Sequence, residues 1–388
     1  MSIEEYVIDV PRSVLADLRF RLEHTRWPSK INGAEWQYGT NLEYLEAFCA
    51  YWRDGYDWRK QEAALNKWPQ YMCRVDGVDI HFWHIKGHGG APFPLLLLHG
   101  WPGSAYEFFE MIGPLTDPAA YGGREEDAFD VVLPDLPGYG WSGKPTESGW
   151  GAARIARALN KLMTEELGYR RYGTQGGDWG AMISARLGAL FPEHVAAIHL
   201  NFAFLPVPML NRLPAEDMAM VERQQAFDQA EGAYHMIQET KCDSLTVAQT
   251  DSPAGFAAWV LEKFRTWSDC GGNLESVYSK DRLITNLMFY WAPGSIASAA
   301  RLYYESLHDP ETNLGAPDPQ IPVPAAVARF PCDPFNRPRS WMEKHFNVVR
   351  WTEMPAGGHF AAWEQPVLLC TDVREFYRGI RAEVLENY

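Results

Sequence analysis

The chain has 388 residues and a formal net charge of −15, which argues against nucleic-acid binding because that function usually requires a basic face. Its hydrophobic fraction of 46%, with 16 Trp, 18 Tyr and 19 Phe, is sufficient for a large core and suggests an apolar pocket. No run of about 18 apolar residues occurs, so the sequence predicts no membrane-spanning helix. The acidic start of the sequence lacks the pattern of a signal peptide. Six scattered cysteines without a Cys-x-x-Cys pair predict free thiols and a cytoplasmic location.

Residues 1–90 differ in pattern from the rest of the chain and predict a helical region that wraps the next domain. Leu15, Leu18 and Leu22 recur at helical spacing, and a second amphipathic segment spans residues 42–52. Residues 72–83 predict two strands across a turn. None of the histidines in this region follows a metal-ligand pattern, so we expect no chemistry here.

Residues 91–201 predict the first part of an α/β core. The run Leu95, Leu96, Leu97, Leu98 is typical of a central parallel strand buried on both faces. A helix is predicted over 105–115, a strand over 129–133, a helix over 152–167 and a strand over 169–174. This alternation predicts a doubly wound, mostly parallel sheet.

The sequence Gly176-Gly177-Asp178-Trp179-Gly180 lies between the last of these strands and a predicted helix. A nucleophile with glycine two residues before and after it, between strand and helix, is typical of a nucleophile elbow, whose usual occupant is serine. An aspartate is already ionised at neutral pH and is suited to displacing a leaving group from saturated carbon. The ester that results must be hydrolysed, so the elbow predicts an acid and a histidine later in the chain.

The loop after the Leu-rich strand is His99-Gly100-Trp101-Pro102-Gly103-Ser104. A strand followed by His-Gly places one backbone N–H group near the elbow. Together with the N–H group of Trp179, this donor predicts an oxyanion hole.

Strand–helix alternation stops over residues 202–316, which predict a helical lid inserted into the core. The core resumes over 317–388. Asp333 comes after a predicted strand over 323–328 and occupies the position expected for the acid. His359, after Gly357-Gly358 and a strand over 347–351, is the strongest base candidate among eleven histidines.

With these motifs in view, the chain resembles the epoxide hydrolases of the α/β-hydrolase fold, and most closely the microsomal type with its N-terminal extension. The motifs of the elbow, of the His99 loop and of residues 357–362 carry the resemblance, and the sequence Thr25-Arg26-Trp27-Pro28 resembles the N-terminal region of that family. The membrane-anchoring helix of the animal enzymes is missing, which implies a soluble form. Asp333 stands where microsomal enzymes have glutamate.

The resemblance implies a mechanism and its residues. Asp178 attacks the epoxide, two lid tyrosines hold and protonate its oxygen, and His359, oriented by Asp333, activates water. By local match the tyrosines are Tyr234 and Tyr303, with Tyr304 as the rival of the second; the oxyanion donors are the N–H groups of Trp101 and Trp179. The resemblance implies no metal or organic cofactor and, as substrate, a small apolar or aryl epoxide. A homodimer is one candidate assembly.

Two other functions stay open at this point. A haloalkane dehalogenase shares the fold and the aspartate elbow, and there the Trp179 indole would bind halide. The tyrosine pair and the N-terminal region argue against it. A binding module that has kept the scaffold but lost catalysis is disfavoured by the presence of Asp178, Asp333 and His359 together.

Overall fold

One sheet forms the centre of the protein. The structure is a computed structural model that describes residues 3–202, 214–311 and 321–385. Nine strands are found within these ranges: β1 (Glu4–Glu5), β2 (Gln70–Val75), β3 (Val78–Ile85), β4 (Phe93–Leu98), β5 (Phe129–Pro134), β6 (Tyr172–Gly176), β7 (Val195–Leu200), β8 (Ile321–Arg329) and β9 (Phe346–Glu353). Their order in the sheet is β1-β2-β3-β5-β4-β6-β7-β8-β9.

The sheet has an antiparallel edge and a parallel body. Antiparallel pairing joins β1 to β2, β2 to β3 and β3 to β5. Parallel pairing joins β5 to β4, β4 to β6, β6 to β7, β7 to β8 and β8 to β9. Leu95, Leu96, Leu97 and Leu98 of β4 are fully buried, as expected for a strand covered on both faces. The predicted mostly parallel α/β sheet is therefore confirmed.

Fourteen helices surround the sheet in the described ranges. They are α1 (Arg12–Glu23), α2 (Leu42–Asp54), α3 (Trp58–Leu65), α4 (Phe109–Thr116), α5 (Ala152–Lys161), α6 (Asp178–Leu190), α7 (Ala215–Glu231), α8 (Ala233–Asp251), α9 (Pro253–Trp267), α10 (Lys280–Trp291), α11 (Ile296–His308), α12 (Arg339–His345), α13 (Ala361–Glu364) and α14 (Pro366–Leu385).

Helices cover both faces of the parallel body. A Cβ atom at Gly173 of β6 would lie 2.3 Å from the ring of Tyr377 in α14. Ile198 of the neighbouring strand instead faces Gly188 of α6. Gly173 pairs with Ala197, and successive strand residues point to opposite faces, so α14 and α6 lie on opposite sides of the sheet.

Several predicted bounds were wrong. The elbow strand was predicted over 169–174 but spans Tyr172–Gly176 in the structure. Its residues 173–176 pair with both β4 and β7, which places this strand two to three residues later than predicted. The helix predicted over 105–115 begins as the 3-10 turn Ala105–Phe108, and the one over 152–167 changes at Leu162 into a π-helical turn. β7 and α3 were not predicted, and β8 and β9 extend beyond the predicted strands at both ends.

The described part of residues 202–316 is helical, with α7 to α11 inserted between β7 and β8. Residues 203–213 and 312–320, including the predicted boundary at 316/317, lie outside the described residues. The N-terminal region contacts this insertion. The Tyr51 hydroxyl of α2 donates to Asp281 of α10 at 2.8 Å, and the hydroxyl of Tyr56, between α2 and α3, lies 2.9 Å from Thr285 Oγ1.

Candidate active site

Asp178 lies at a sharp turn between β6 and α6, with φ of +48°. A non-glycine residue in this left-handed region is strained and requires support from its surroundings. The turn has no room for side chains beside it: a Cβ atom at Gly176 would lie 2.4 Å from the backbone of Gly180, and one at Gly180 would lie 1.9 Å from the Leu98 carbonyl. The geometry is that of a nucleophile elbow.

The loop after β4 contacts the carboxylate of Asp178 directly. The Trp101 N–H group donates to Asp178 Oδ1 at 2.8 Å. A Cβ atom at Gly100 would lie 2.1 Å from the same oxygen, so glycine is required there for the approach. Trp179 is the second residue of α6, and an N–H group in the first turn of a helix has no helical acceptor. One predicted oxyanion donor therefore touches the carboxylate, and the other belongs to the residue next to Asp178 in the first turn of α6.

This loop is held from the helical insertion. Asn286 of α10 donates through Nδ2 to the Pro102 carbonyl at 2.8 Å and accepts from Ser104 Oγ at 2.7 Å. The hydroxyl of Tyr290 donates to the Gly103 carbonyl. These bonds fix the donor of Trp101 with respect to α10.

His359 lies between two carboxylates. Its Nε2 atom is 3.4 Å from Asp178 Oδ2, and its Nδ1 atom is 3.4 Å from both oxygens of Asp333. Asp333 comes after β8, and its Oδ1 atom also accepts from the Phe335 N–H group at 2.9 Å. The structure thus brings together three side chains that are spread over more than 150 residues of the sequence.

Burial disfavours the charged form of the His359 imidazole. The negative charge of Asp333 and the contacts with Asp178 and Asp333 act in the opposite direction, and together they raise its pKa to about 10. This direction favours a protonated imidazole at neutral pH.

Tyr234 of α8 and Tyr303 of α11 approach this site from the insertion. Their ring centroids are 6.1 Å apart. The ring of Trp101 stacks on Tyr234 at 5.4 Å, and the ring of Trp179 meets Tyr303 edge to face at 4.8 Å. Burial above all, together with the charge of Asp178, raises the pKa of both phenols, so both keep their protons at neutral pH.

Tyr304 faces away from the site. Its side chain is 38% exposed and stacks on His308 at 4.0 Å, on the outer side of α11. Of the two adjacent tyrosines, the structure brings Tyr303 to the site and not Tyr304.

Glu107 is a site residue that was not predicted from the sequence. It lies in the 3-10 turn before α4 and lines the same cavity as Gly103, Asp178 and His359. Burial raises its pKa to about 8, although the charge of His359 acts in the opposite direction. A Cβ atom at Gly103 would lie 1.5 Å from Glu107 Oε1, so the glycine makes room for the carboxyl group. In the sequence, the only feature that could have indicated this site residue is the acidic residue four positions after Gly103.

Aromatic rings surround the imidazole. The ring centroid of His359 is 5.1 Å from that of Trp267, 5.3 Å from that of Phe335 and 5.4 Å from that of Phe202.

Among the described residues no group of three or more His, Cys, Asp or Glu side chains is placed to hold a metal ion. In the same ranges, no helix is both long and apolar enough to cross a bilayer.

Comparison with known proteins agrees with this architecture. Residues 3–108 match the family described as "Epoxide hydrolase N terminus", and residues 94–241 match "alpha/beta hydrolase fold". Epoxide hydrolase 1 of Oryctolagus cuniculus is 36% identical over 97% of this chain and 88% of its own length. A Stigmatella aurantiaca protein provisionally described as an epoxide hydrolase is 42% identical over 98% of this chain and 86% of its own.

Solved structures give the same result. Juvenile hormone epoxide hydrolase from the silkworm Bombyx mori has a TM-score of 0.90 and 30% identity, with 98% of this chain and 95% of that chain covered. Aspergillus niger epoxide hydrolase has a TM-score of 0.85 and 28% identity over 98% and 97%. Sheet, elbow and inserted helices together define a hydrolase of the α/β-hydrolase fold. Within that class, the chain belongs to the epoxide hydrolase family, and it is an enzyme that acts on small-molecule epoxides.

Proposed function

We propose that this epoxide hydrolase converts its substrate to a vicinal diol in two steps, through an ester on Asp178. The observation that carries the proposal is the placement of the Asp178 carboxylate. One oxygen accepts from the Trp101 N–H group and the other faces His359 Nε2. The carboxylate is thus held between a donor for an oxyanion and a base for water.

In the first step an oxygen of Asp178 attacks a ring carbon, and the bond from that carbon to the epoxide oxygen breaks. The alkoxide that forms takes a proton from Tyr234 or Tyr303, whose raised pKa values keep them protonated until that moment. General acid catalysis of this type contributes roughly 10²- to 10⁴-fold. The products are a neutral ester and a tyrosinate.

Ester formation prepares the second step. It removes the charge of Asp178, one of the two carboxylates that raise the pKa of His359. The imidazole then gives its proton to the tyrosinate, which is the stronger base because burial raises the pKa of its phenol. His359, now neutral and oriented by Asp333, accepts a proton from water.

The hydroxide attacks the ester carbonyl. The N–H groups of Trp101 and Trp179 stabilise the oxyanion, by about 3 kcal/mol for each donor. The intermediate collapses with cleavage of the bond from the Asp178 carbonyl carbon to the alkoxide oxygen, and the departing alkoxide takes the proton of the hydroxyl group that water supplied. The diol leaves, and Asp178 is again a carboxylate beside the His359 cation, so that the sum is epoxide plus water to diol.

We further propose an apolar or aryl epoxide as the substrate. The rings of Trp101, Tyr234, Trp267 and Phe335 supply apolar surface beside the reacting carboxylate. A cytoplasmic location, a homodimeric assembly and the lid role of residues 202–316 stay predictions from the sequence.

Isotope labelling tests the ester pathway. In a single turnover in ¹⁸O-water with enzyme in excess, the new hydroxyl oxygen of the diol comes from Asp178, so the diol carries no label and the Asp178 carboxylate gains it. Label in the diol of the first turnover would show direct attack of water and contradict the proposal. Styrene oxide is a suitable aryl probe, and comparison of its kcat/KM with that of an epoxide that carries a hydroxyl group tests the preference for apolar substrates.

A further inference from the structure

Glu364, at the end of α13, binds three backbone N–H groups with one carboxylate. Its Oε2 atom accepts from Gly358 at 2.9 Å and from Asp269 at 2.7 Å, and its Oε1 atom accepts from Phe360 at 3.0 Å. Gly358 and Phe360 flank His359 in the chain, whereas Asp269 lies just beyond α9. A single side chain therefore joins the loop of the base to the helical insertion.

The same loop and the insertion also meet through two further hydrogen bonds. The His359 N–H group donates to the Trp267 carbonyl at 2.9 Å, and the Gly357 N–H group donates to Asp269 Oδ2 at 2.9 Å. A Cβ atom at Gly358 would lie 2.5 Å from the Trp267 carbonyl oxygen and 2.9 Å from the Asp269 nitrogen. The second glycine of the Gly-Gly-His sequence is thus required by contact with the insertion. With Glu364, these bonds give an acceptor to each of the four consecutive N–H groups of residues 357–360.

The imidazole tolerates little displacement of this loop. Its contacts with Asp178 and Asp333 are already 3.4 Å long, near the upper limit for a hydrogen bond. A shift of about 1 Å at a reacting group can cost on the order of 100-fold in rate. Whatever holds residues 357–360 therefore controls the position of the base.

We propose that Glu364 is a positioning residue for the second half-reaction, and that it acts by fastening the His359 loop to the segment of residues 267–269. This inference rests on the proposed function, because it requires His359 to be the base that hydrolyses the Asp178 ester. The hydrogen-bond partners of Glu364 include neither the nucleophile Asp178 nor the two tyrosines. Its loss is therefore expected to slow hydrolysis of the ester and to leave ester formation nearly unchanged.

Pre-steady-state kinetics with styrene oxide separate the two half-reactions. The Glu364→Gln side chain has the same shape but only one acceptor oxygen. Either Phe360 or both Gly358 and Asp269 then face an amide donor, so the clamp loses at least one of its three hydrogen bonds. We expect the rate of ester formation to stay within about threefold of the parent protein and kcat to fall roughly 10- to 100-fold. The ester then accumulates, and intact mass shows the protein with the whole epoxide added.

Two further variants and one control sharpen the test. Gly358→Ala disturbs the same contact from the other side and should give the same pattern, whereas Glu364→Asp keeps a carboxyl group with two acceptor oxygens and should recover part of kcat. Asp57 is the matched control, since its carboxylate also accepts two backbone N–H groups, from Arg59 and Lys60 at the start of α3. Asp57→Asn should lower neither rate.

Each other outcome has a distinct meaning. Glu364→Gln with the kcat of the parent protein would overturn the proposal. A parallel fall of both half-reactions in Glu364→Gln and Gly358→Ala would also overturn it, because it would show a general structural role. If no ester is trapped even when His359 is replaced, the proposed function fails, and that failure is visible without any Glu364 variant.

Discussion

Replacement of Glu107 by glutamine should stabilise the protein, and increasingly so as the pH rises. The structure buries this carboxyl group beside Asp178 and raises its pKa from 4.5 to about 8. The unfolded chain releases the proton above pH 4.5, whereas the folded protein retains it up to about pH 8. The unfolded state is thus favoured progressively over this interval, and the stability of the wild type falls as the pH rises through it.

The size of the effect is set by the two pKa values. One pKa unit corresponds to about 1.4 kcal/mol, so at pH 7 the buried carboxyl lowers the free energy of unfolding by on the order of 3 kcal/mol. Glutamine is neutral in both states and resembles the protonated acid in shape, and its carbonyl can still accept from the Ser104 N–H group. The gain in unfolding free energy should therefore grow by about 3 kcal/mol between about pH 4.5 and pH 7.

Urea denaturation of wild type and Glu107→Gln at about pH 4.5, 6, 7 and 8 measures this difference. The test rests on how the difference in unfolding free energy between the two proteins changes with pH. A contribution of the added amide that is the same at every pH therefore does not affect the result. A difference between the two proteins that stays the same at all of these pH values would refute the prediction, because it would show that the carboxyl ionises normally in the folded state.

Two other predictions concern the first half-reaction. Tyr234→Phe and Tyr303→Phe should each slow ester formation, and the double variant should lose roughly 10²- to 10⁴-fold because no acid then protonates the alkoxide. Tyr304→Phe is the control and should stay within about twofold in stopped-flow traces; an equal loss there would contradict the assignment of Tyr303. Gly100→Ala places a Cβ atom 2.1 Å from an oxygen of Asp178, so it should suppress ester formation in a protein that still unfolds cooperatively. Normal ester formation in that variant would show that the loop does not position the carboxylate.

Much of the site could be predicted because its requirements are local in the sequence. The elbow needs small neighbours around Asp178, and the His99 loop needs glycine at position 100, so both leave a motif. Asp333 and His359 could be predicted because each follows a predicted strand, in the chain order nucleophile, acid, histidine, and the carboxyl ends of parallel strands meet at one edge of a sheet.

The rest depends on tertiary packing, which leaves little trace in a single sequence. Tyr303 and Tyr304 are adjacent in sequence, and only the side of α11 that faces Trp179 distinguishes them. In the sequence, Glu107 is an ordinary acidic residue near a loop, and only the structure shows the burial that raises its pKa. The sequence likewise does not show that the Glu364 side chain accepts hydrogen bonds from backbone N–H groups of residues 357–360. The strand β7 was missed even though all of its residues are buried.

The mechanism depends most on the Asp178 ester, and the intact mass of His359→Gln protein after exposure to styrene oxide tests it most directly. Without its base the protein should form the ester and fail to hydrolyse it. We expect a mass gain equal to the whole epoxide, located on the peptide that contains Asp178 and absent from Asp178→Asn, which also forms no diol. No adduct with styrene oxide, or an adduct that persists in Asp178→Asn, would contradict the mechanism.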